Sequence, residues 1–446
     1  MPNGQILCNQ PPEDNIKDVL PFSTTIRPNQ LETAGIIFSL AILVILLYLY
    51  VSAFLKKRIS AHTAHHRLVQ EIKDVLHPRS VSVVVLLKER AEANQRLVRA
   101  FHISNTFVSS DPDVHKTFVA QAQHLIKTAQ CYGWAHFQAI AIDAVQWQLS
   151  QNHDDHHLFS PQSNSFKFDS FVQNVTLIVV LVGILQVDKP IQSFSYKDVT
   201  LVASRITTLW ASSKKSDPIP PALLEELTTH LRRLVVDEAQ SPNPLDFVIP
   251  TWETLWRVVA TTIAHSYSDK EIRKAFKEFN TCPSDHSFRG GDQASEADVS
   301  VSVKAVVSEA MRLHPPSKHI GRSKSPMWWP RFLGKWIQPG IVTVKRTADV
   351  EKLLRCNMIW GPDADEFKPS RHSPHLIRPD QIQALKFGFG YGPLRCIATS
   401  WAPTAAGVIS GAILDELDIS GYILEAGAVI GGREGWNGWM IDKIGG

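Results

Sequence analysis

The sequence lacks paired cysteines. Its five, Cys8, Cys131, Cys282, Cys356 and Cys396, are far apart and form no CxxC motif. That spacing excludes a disulfide-dense scaffold and a CxxC zinc or redox site, and it reads as free thiols in a reducing compartment. A strong charge of one sign is also missing. The formal net charge of the 446 residues is +3, which excludes nucleic-acid binding by bulk electrostatics. No segment repeats, so a solenoid is excluded. The remaining composition, 44% hydrophobic and 20% charged, is that of a globular protein with a sizeable core. The 27 prolines point to many irregular connections.

One long stretch lacks charge altogether. Residues 33–55, TAGIIFSLAILVILLYLYVSAFL, are long enough at 1.5 Å per residue to cross a ~30 Å hydrocarbon core. Tyr48 and Tyr50 lie near one end, and Lys56, Lys57 and Arg58 follow, whereas only Lys17 and Arg27 precede. The positive-inside bias then puts the C-terminal part in the cytosol. The expected organisation is a lumenal segment over 1–32, a transmembrane anchor over 33–55 and a cytosolic domain over 56–446. A second apolar run, Val175 to Val187, is too short to span and reads as a buried core helix.

The cytosolic part reads as helical over 59–150, with two apolar helices over 168–211. LLEELTTHLRRLVVDEA, FVIPTWETLWRVVATTIAHSYSD and VSVKAVVSEAMRLH continue the helical pattern. Pro315–Pro316 stops the last of these. The segment 317–395 is rich in Pro, Gly and Trp, with a short β-like piece at IVTVKR. Helix-like sequence resumes at Cys396 and reaches about Leu417, and the tail reads as short strands. The fold class is mainly α with a minor β part.

Three motifs carry chemistry only in combination. Glu309 and Arg312 stand at i and i+3 on one helix face, where an ion pair can form. Pro369-Ser370-Arg371-His372 is a loop signature with a fixed arginine. Phe389-x-x-Gly392-x-x-x-Cys396 crowds glycines just before a helix-like run, which marks a sharply bent or closely approached backbone. A cysteine there meets unpaired N–H groups that favour a thiolate, a suitable metal-ligating sulfur.

In this order the three motifs resemble the cytochrome P450 superfamily, of the microsomal, fungal-type kind. The run RLHPPSKHIGR and the N-terminal anchor fit the resemblance, which is carried mainly by residues 245–420. It implies a P450-like fold and a haem b cofactor, with Cys396 as the axial thiolate on iron. It implies that Gly390 and Gly392 let the backbone wrap under the porphyrin, that Phe389 packs near the sulfur, and that Glu309, Arg312 and Arg371 form a buried structural network. The acid–alcohol pair of the distal helix falls on Glu253-Thr254, with Ala260-Thr261-Thr262 as runner-up. The alternative is a helix start, with Thr251 as N-cap and Glu253 and Thr254 in the first turn. NADPH–cytochrome P450 reductase, with cytochrome b5 as a further electron donor, an apolar small-molecule substrate and the endoplasmic reticulum membrane follow as partners and location.

The sequence also departs from the family pattern. Leu394 stands where the family places a propionate-binding arginine, and Arg395 comes one step later. Ala398 replaces a glycine, and no Trp-x-x-x-Arg marks the other propionate-binding helix. His319 and Arg322, after the ExxR helix, are the candidate substitutes. The expected activity is insertion of one oxygen atom of O2 into an apolar small molecule, in secondary-metabolite biosynthesis. The alternatives are desaturation, coupling or rearrangement at the same centre, or a degenerate non-catalytic haem-binding membrane protein.

Overall fold

Hydrophobic spacing and capping residues account for most of the elements. The computed structural model describes residues 28–154, 165–237, 242–290, 301–324 and 344–444. Residues 1–27 of the expected lumenal segment lie outside the described residues. So do the side chains at 33–38 and 53–55 of the expected anchor. The chain divides into one unit ending at Thr63 and a second from Ala64 to Gly446.

The first helix, α1, runs Pro28–Leu76 and contains the uncharged stretch. From Leu40 to Val51 its large apolar side chains are exposed. Among the described residues, no helix is long and apolar enough to cross a membrane.

In the second unit, α2 (Val83–Ala93) starts on Ser82, whose hydroxyl accepts from the Val85 N–H; this N-cap satisfies one orphan donor of the first turn. The long helix α3 (Pro112–Asp154) is interrupted at Gly133. The apolar run at 175–187 is buried as expected, but only its first part is α-helical: α4 (Phe168–Val179) passes into a π-helical turn at Val180–Ile184. Two amphipathic helices follow, α5 (Tyr196–Ser213) and α6 (Pro221–Leu234). Then come α7 (Leu245–Ser266), α8 (Lys270–Thr281) and α9 (Val303–Leu313).

The stretch expected to be helical from Cys396 begins differently. A 3-10 turn, Ile397–Ser400, precedes α10 (Ala402–Ile419). Pro403 lies in the first turn of α10, where its missing N–H costs nothing and its fixed φ suits a helix start. The α10 helix packs against α3, α7, α8 and α9, which explains its nearly complete burial from Thr404 to Leu414.

The β part is small. Strands β1 (Ser165–Lys167), β4 (Tyr422–Glu425) and β5 (Met440–Lys443) form an antiparallel sheet in the order β1-β5-β4. Strands β2 (His319–Lys324) and β3 (Val344–Asp349) pair antiparallel, with Arg322 opposite Arg346. The architecture is therefore mainly helical with a small sheet part. Most buried apolar side chains form one large core between the helices. A second, smaller core joins Val69, Ile72, Val75 and Leu76 of α1 to Ala348, Leu353, Leu354, Trp360, Ala384 and Phe387. It lies beneath the glycine-rich loop that carries Cys396.

Candidate active site

The cysteine loop is shaped by its own backbone. Phe387–Phe389 and Gly392–Leu394 are single 3-10 turns. The Gly390 N–H donates to the Phe387 carbonyl at 2.9 Å, and the Cys396 N–H donates back to the Phe389 carbonyl at 2.8 Å, closing the loop. Gly390 and Gly392 have φ of +82° and +74°, the left-handed region that side chains other than glycine rarely adopt. At Gly392 space is short as well, because a Cβ would meet the His77 side chain at 2.7 Å. The Cys396 thiol is exposed. The protein around it nevertheless desolvates the sulfur enough to push its pKa up, while the Ala398 N–H, aimed at the sulfur, and the charge of Arg395 act the other way. The N–H aimed at the sulfur is the donor a metal-bound thiolate needs.

Behind this loop is a buried charge network. Glu309 and Arg312 on α9 are fully buried, and Arg371 nearly so. Arg312 Nε and Nη2 bond to the two Glu309 oxygens at 2.7 and 2.9 Å, a bidentate pair. Arg371 Nε donates to Glu309 Oε1 at 2.8 Å, and the Lys368 N–H reaches the same oxygen at 3.0 Å. His372 Nε2 adds a contact to Oε2 at 2.7 Å. The guanidinium groups spend their remaining donors on carbonyls. Arg312 reaches those of Leu354, Ala364 and Glu366, and Arg371 those of Trp360, Asp363 and Glu366. Burial alone would raise the Glu309 pKa. The hydrogen bonds and charges of Arg312 and His372 outweigh it and bring the value to about 2. The network thus ties α9 to the segment 354–372 through the carbonyls of Leu354, Trp360, Asp363, Ala364 and Glu366. The sequence motifs omitted His372 from this network, although its place directly after Arg371 was a usable signal.

On α7, Glu253 and Thr254 lie inside the helix. The helix begins at Leu245, so the alternative of a start capped by Thr251 fails. Pro250 is internal to it. Glu253 is buried and doubly paired. Arg257 Nη2 reaches its Oε2 at 2.9 Å, and Arg433 Nε reaches its Oε1 at 2.7 Å. Arg433 also lies over the Trp210 ring at 4.5 Å. No sequence signal links Arg433, on the C-terminal loop, to Glu253. Thr254 is half-buried. One turn beyond Arg257, the Thr261 hydroxyl donates to the Arg257 carbonyl at 2.9 Å, and the buried Thr262 hydroxyl has no partner.

The structure places the remaining candidates as follows. His319 is half-exposed and lies 3.6 Å from Asp349. Arg322 is buried, and its Nε has no partner. Arg395 is exposed, Leu394 half-buried, and Phe389 half-buried beside the loop-closing hydrogen bond. The structure therefore brings Glu309, Arg312 and Arg371 into one cluster and Phe389, the glycines and Cys396 into one loop. Glu253 and Thr254 stand apart on α7.

No family model matches the chain. Among curated proteins, the chain is similar to cytochrome P450 714A2 of Arabidopsis thaliana, 28% identical over 27% of this chain and 22% of the relative. Cytochrome P450 CYP72A613 of Trigonella foenum-graecum is 31% identical over 22% of this chain and 18% of the relative. Echinocystic acid 23-monooxygenase of Saponaria officinalis is 26% identical over 25% of this chain and 21% of the relative. The matched part thus spans roughly a fifth of the length of these curated relatives.

Proposed function

We propose, from the similarity of about a quarter of the chain to curated cytochromes P450, that the protein is a haem-thiolate monooxygenase with a P450-like fold. It inserts one oxygen atom of O2 into an apolar small molecule. The observation that carries this reading is the cysteine loop: an accessible, desolvated Cys396 sulfur with an N–H aimed at it, on a backbone that only glycine suits. The donor chemistry, an exposed thiol with an N–H aimed at its sulfur, fits a haem iron. When bound, the haem supplies the oxygen-activating chemistry, tuned by the electron-rich thiolate.

The other residues divide by what they hold. Cys396 would ligate the haem iron, and Phe389, Gly390 and Gly392 would shape the loop that carries it. Arg322, buried with a free Nε, would hold the haem's carboxylates, with His319 and Arg395 as the other cations proposed for them. Glu309, Arg312 and Arg371 fix the segment that backs the loop. On the distal side Glu253 and Thr254 are the proton-handling pair. The two guanidinium groups on Glu253 fix its carboxylate in place, so the proton route runs over Thr254 and solvent. That double pairing favours one second reading, in which the same centre performs desaturation, coupling or rearrangement.

Electrons come from NADPH through cytochrome P450 reductase, with cytochrome b5 as a further donor. The domain sits on the cytosolic face of the endoplasmic reticulum, held by residues 33–55, and serves secondary-metabolite biosynthesis. The exposed apolar face from Leu40 to Val51 supports the anchor, since so large an apolar patch is unfavourable in water. The test of the cofactor is reduction of the purified full chain under carbon monoxide. A thiolate-ligated haem moves its Soret band far to the red, and Cys396→Ser abolishes that shift. A wild-type chain that takes up no haem would sink the reading.

A further inference from the structure

Four separate segments meet around Trp210, near the end of α5, and most of what they bring is positive. The Arg96 guanidinium, on the short helix Gln95–Phe101, lies over the Trp210 ring at 5.0 Å, and that of Arg433, on the C-terminal loop, lies over it at 4.5 Å. Lys214 is the C-cap of α5. On α7, Glu253 is shared between Arg257 and Arg433. Partial burial and then the charges of Arg433 and Arg96 lower the Lys214 pKa, while Glu434 and Glu253 act the other way. Burial also lowers the Arg433 pKa; Glu253 opposes the shift, and Arg257 and Arg96 add to it. Arg96, Lys214, Arg257 and Arg433 thus face only Glu253 and Glu434, an excess of positive charge.

The fold accounts for part of that excess. A helix C-terminus favours cations, and Arg99 answers it by donating to the Ser213 and Lys215 carbonyls at 3.0 and 2.6 Å. Among the described residues Arg96 makes a single hydrogen bond, from Nη1 to the Ser213 hydroxyl at 2.5 Å. Lys214 Nζ has no bonding partner among them. Arg433 spends Nε and Nη2 on one Glu253 oxygen, which leaves Nη1 without a bond. Half-buried cations with donors to spare are costly unless an anion completes them. Trp210, Arg96 and Arg433 are half-buried and Lys214 is exposed, so a ligand can reach the cluster from solvent.

Arg433 ties this cluster to Glu253, the acid of the distal pair. Trp210 and Phe101, whose rings lie 6.1 Å apart, provide an apolar surface beside the charge. We propose that Arg96, Lys214 and the free Nη1 of Arg433 seat a carboxylate of the substrate, which is then an apolar molecule ending in an acidic group. A planar guanidinium suits a carboxylate in bidentate fashion, and the apolar part next to that carboxylate rests on Trp210. The inference rests on the monooxygenase reading above and narrows its substrate class.

The test uses two probes that share one apolar body and differ in charge, phenylbutyrate and phenylbutanol. The full chain in detergent is titrated with each, and haem content is measured on the same samples. Dissociation constants are taken from calorimetry and from the perturbation of the Soret band. The wild type should bind the acid about tenfold more tightly than the alcohol, as expected for a charge-assisted hydrogen bond. Arg96→Met and Lys214→Met should each weaken the acid, leave the alcohol unchanged and narrow that gap. Arg96→Lys should recover part of the loss. Equal affinity of the wild type for the two probes would overturn the proposal. So would an acid preference that survives both Met substitutions together, or a parallel loss of both probes, which reports damage to the fold. A wild-type chain without haem contradicts the monooxygenase reading itself, whereas a haem-loaded chain with no acid preference contradicts only the carboxylate seat.

Discussion

At the scale of the residue, Glu309 shows how a buried carboxylate becomes tolerable. Arg312, Arg371, His372 and the Lys368 N–H all converge on its two oxygens. Glu309→Gln removes the charge, leaves the buried Arg312 without a counter-ion and leaves Arg371 only its 3.4 Å contact to Asp363. We expect a loss of roughly 3–5 kcal/mol, read as a lower urea midpoint of the apo chain; a midpoint unchanged from wild type would mean the network carries no stability. Gly392→Ala should act on the loop alone. It places a Cβ 2.7 Å from His77 on a backbone at φ +74°, so it should reduce haem retention measurably while the helical circular dichroism stays near wild type. The sequence named Glu309, Arg312 and Arg371 only because the ExxR and PxRH motifs, in order with the cysteine loop, resemble a known family, and that resemblance implied the network. It did not name Arg433, whose pairing with Glu253 arises only when segments far apart in the chain meet.

At the scale of the element, α7 and α9 meet at a pair of histidines. His265 Nε2 lies 3.1 Å from His314 Nε2, and His265 stacks on Phe367 at 3.9 Å. Burial lowers both pKa values from 6.5, to about 4 for His265 and about 3 for His314; repulsion from His265 adds to the shift of His314. The sign follows from proton counting. Between pH 6.5 and 4 the unfolded chain binds protons that the folded chain excludes, so stability falls as pH drops through that window. The pairing of Glu309 adds a second loss as pH falls from 4.5 towards 2. His314→Gln should therefore shrink the difference between urea midpoints at pH 7 and pH 5. An undiminished difference would assign the acid sensitivity elsewhere. Most helices were readable from their apolar period and caps. The start of α10 was not, because Pro403 and the 3-10 turn after Cys396 delay the α-helix to Ala402. The change from α4 to a π-helical turn was hidden for a similar reason: a continuous apolar run carries no period.

At the scale of the whole molecule, the chain separates into Met1–Thr63 and Ala64–Gly446. A chain beginning at Ala64 keeps Val69, Ile72, Val75 and Leu76, the side chains that α1 gives to the second core. It should fold, bind haem like the full chain and leave the membrane fraction, as shown by flotation of both forms expressed in parallel; flotation of the shortened form would place membrane contact in the second unit. The mainly helical class was legible in the sequence. The second core was not, because it is assembled from the end of α1 and from short irregular pieces near 350–390 that have no apolar period of their own. Yet that core and the Glu309 network together support the loop on which the functional reading depends.

The central claim is that Cys396 is the thiolate ligand of a haem. The most direct measurement is the carbon monoxide difference spectrum of the reduced full chain, wild type beside Cys396→Ser, with haem content determined on the same samples. The account predicts a Soret band shifted far to the red in the wild type and no such band in the variant. A wild-type chain without haem, or a red-shifted band that survives the substitution, would contradict it.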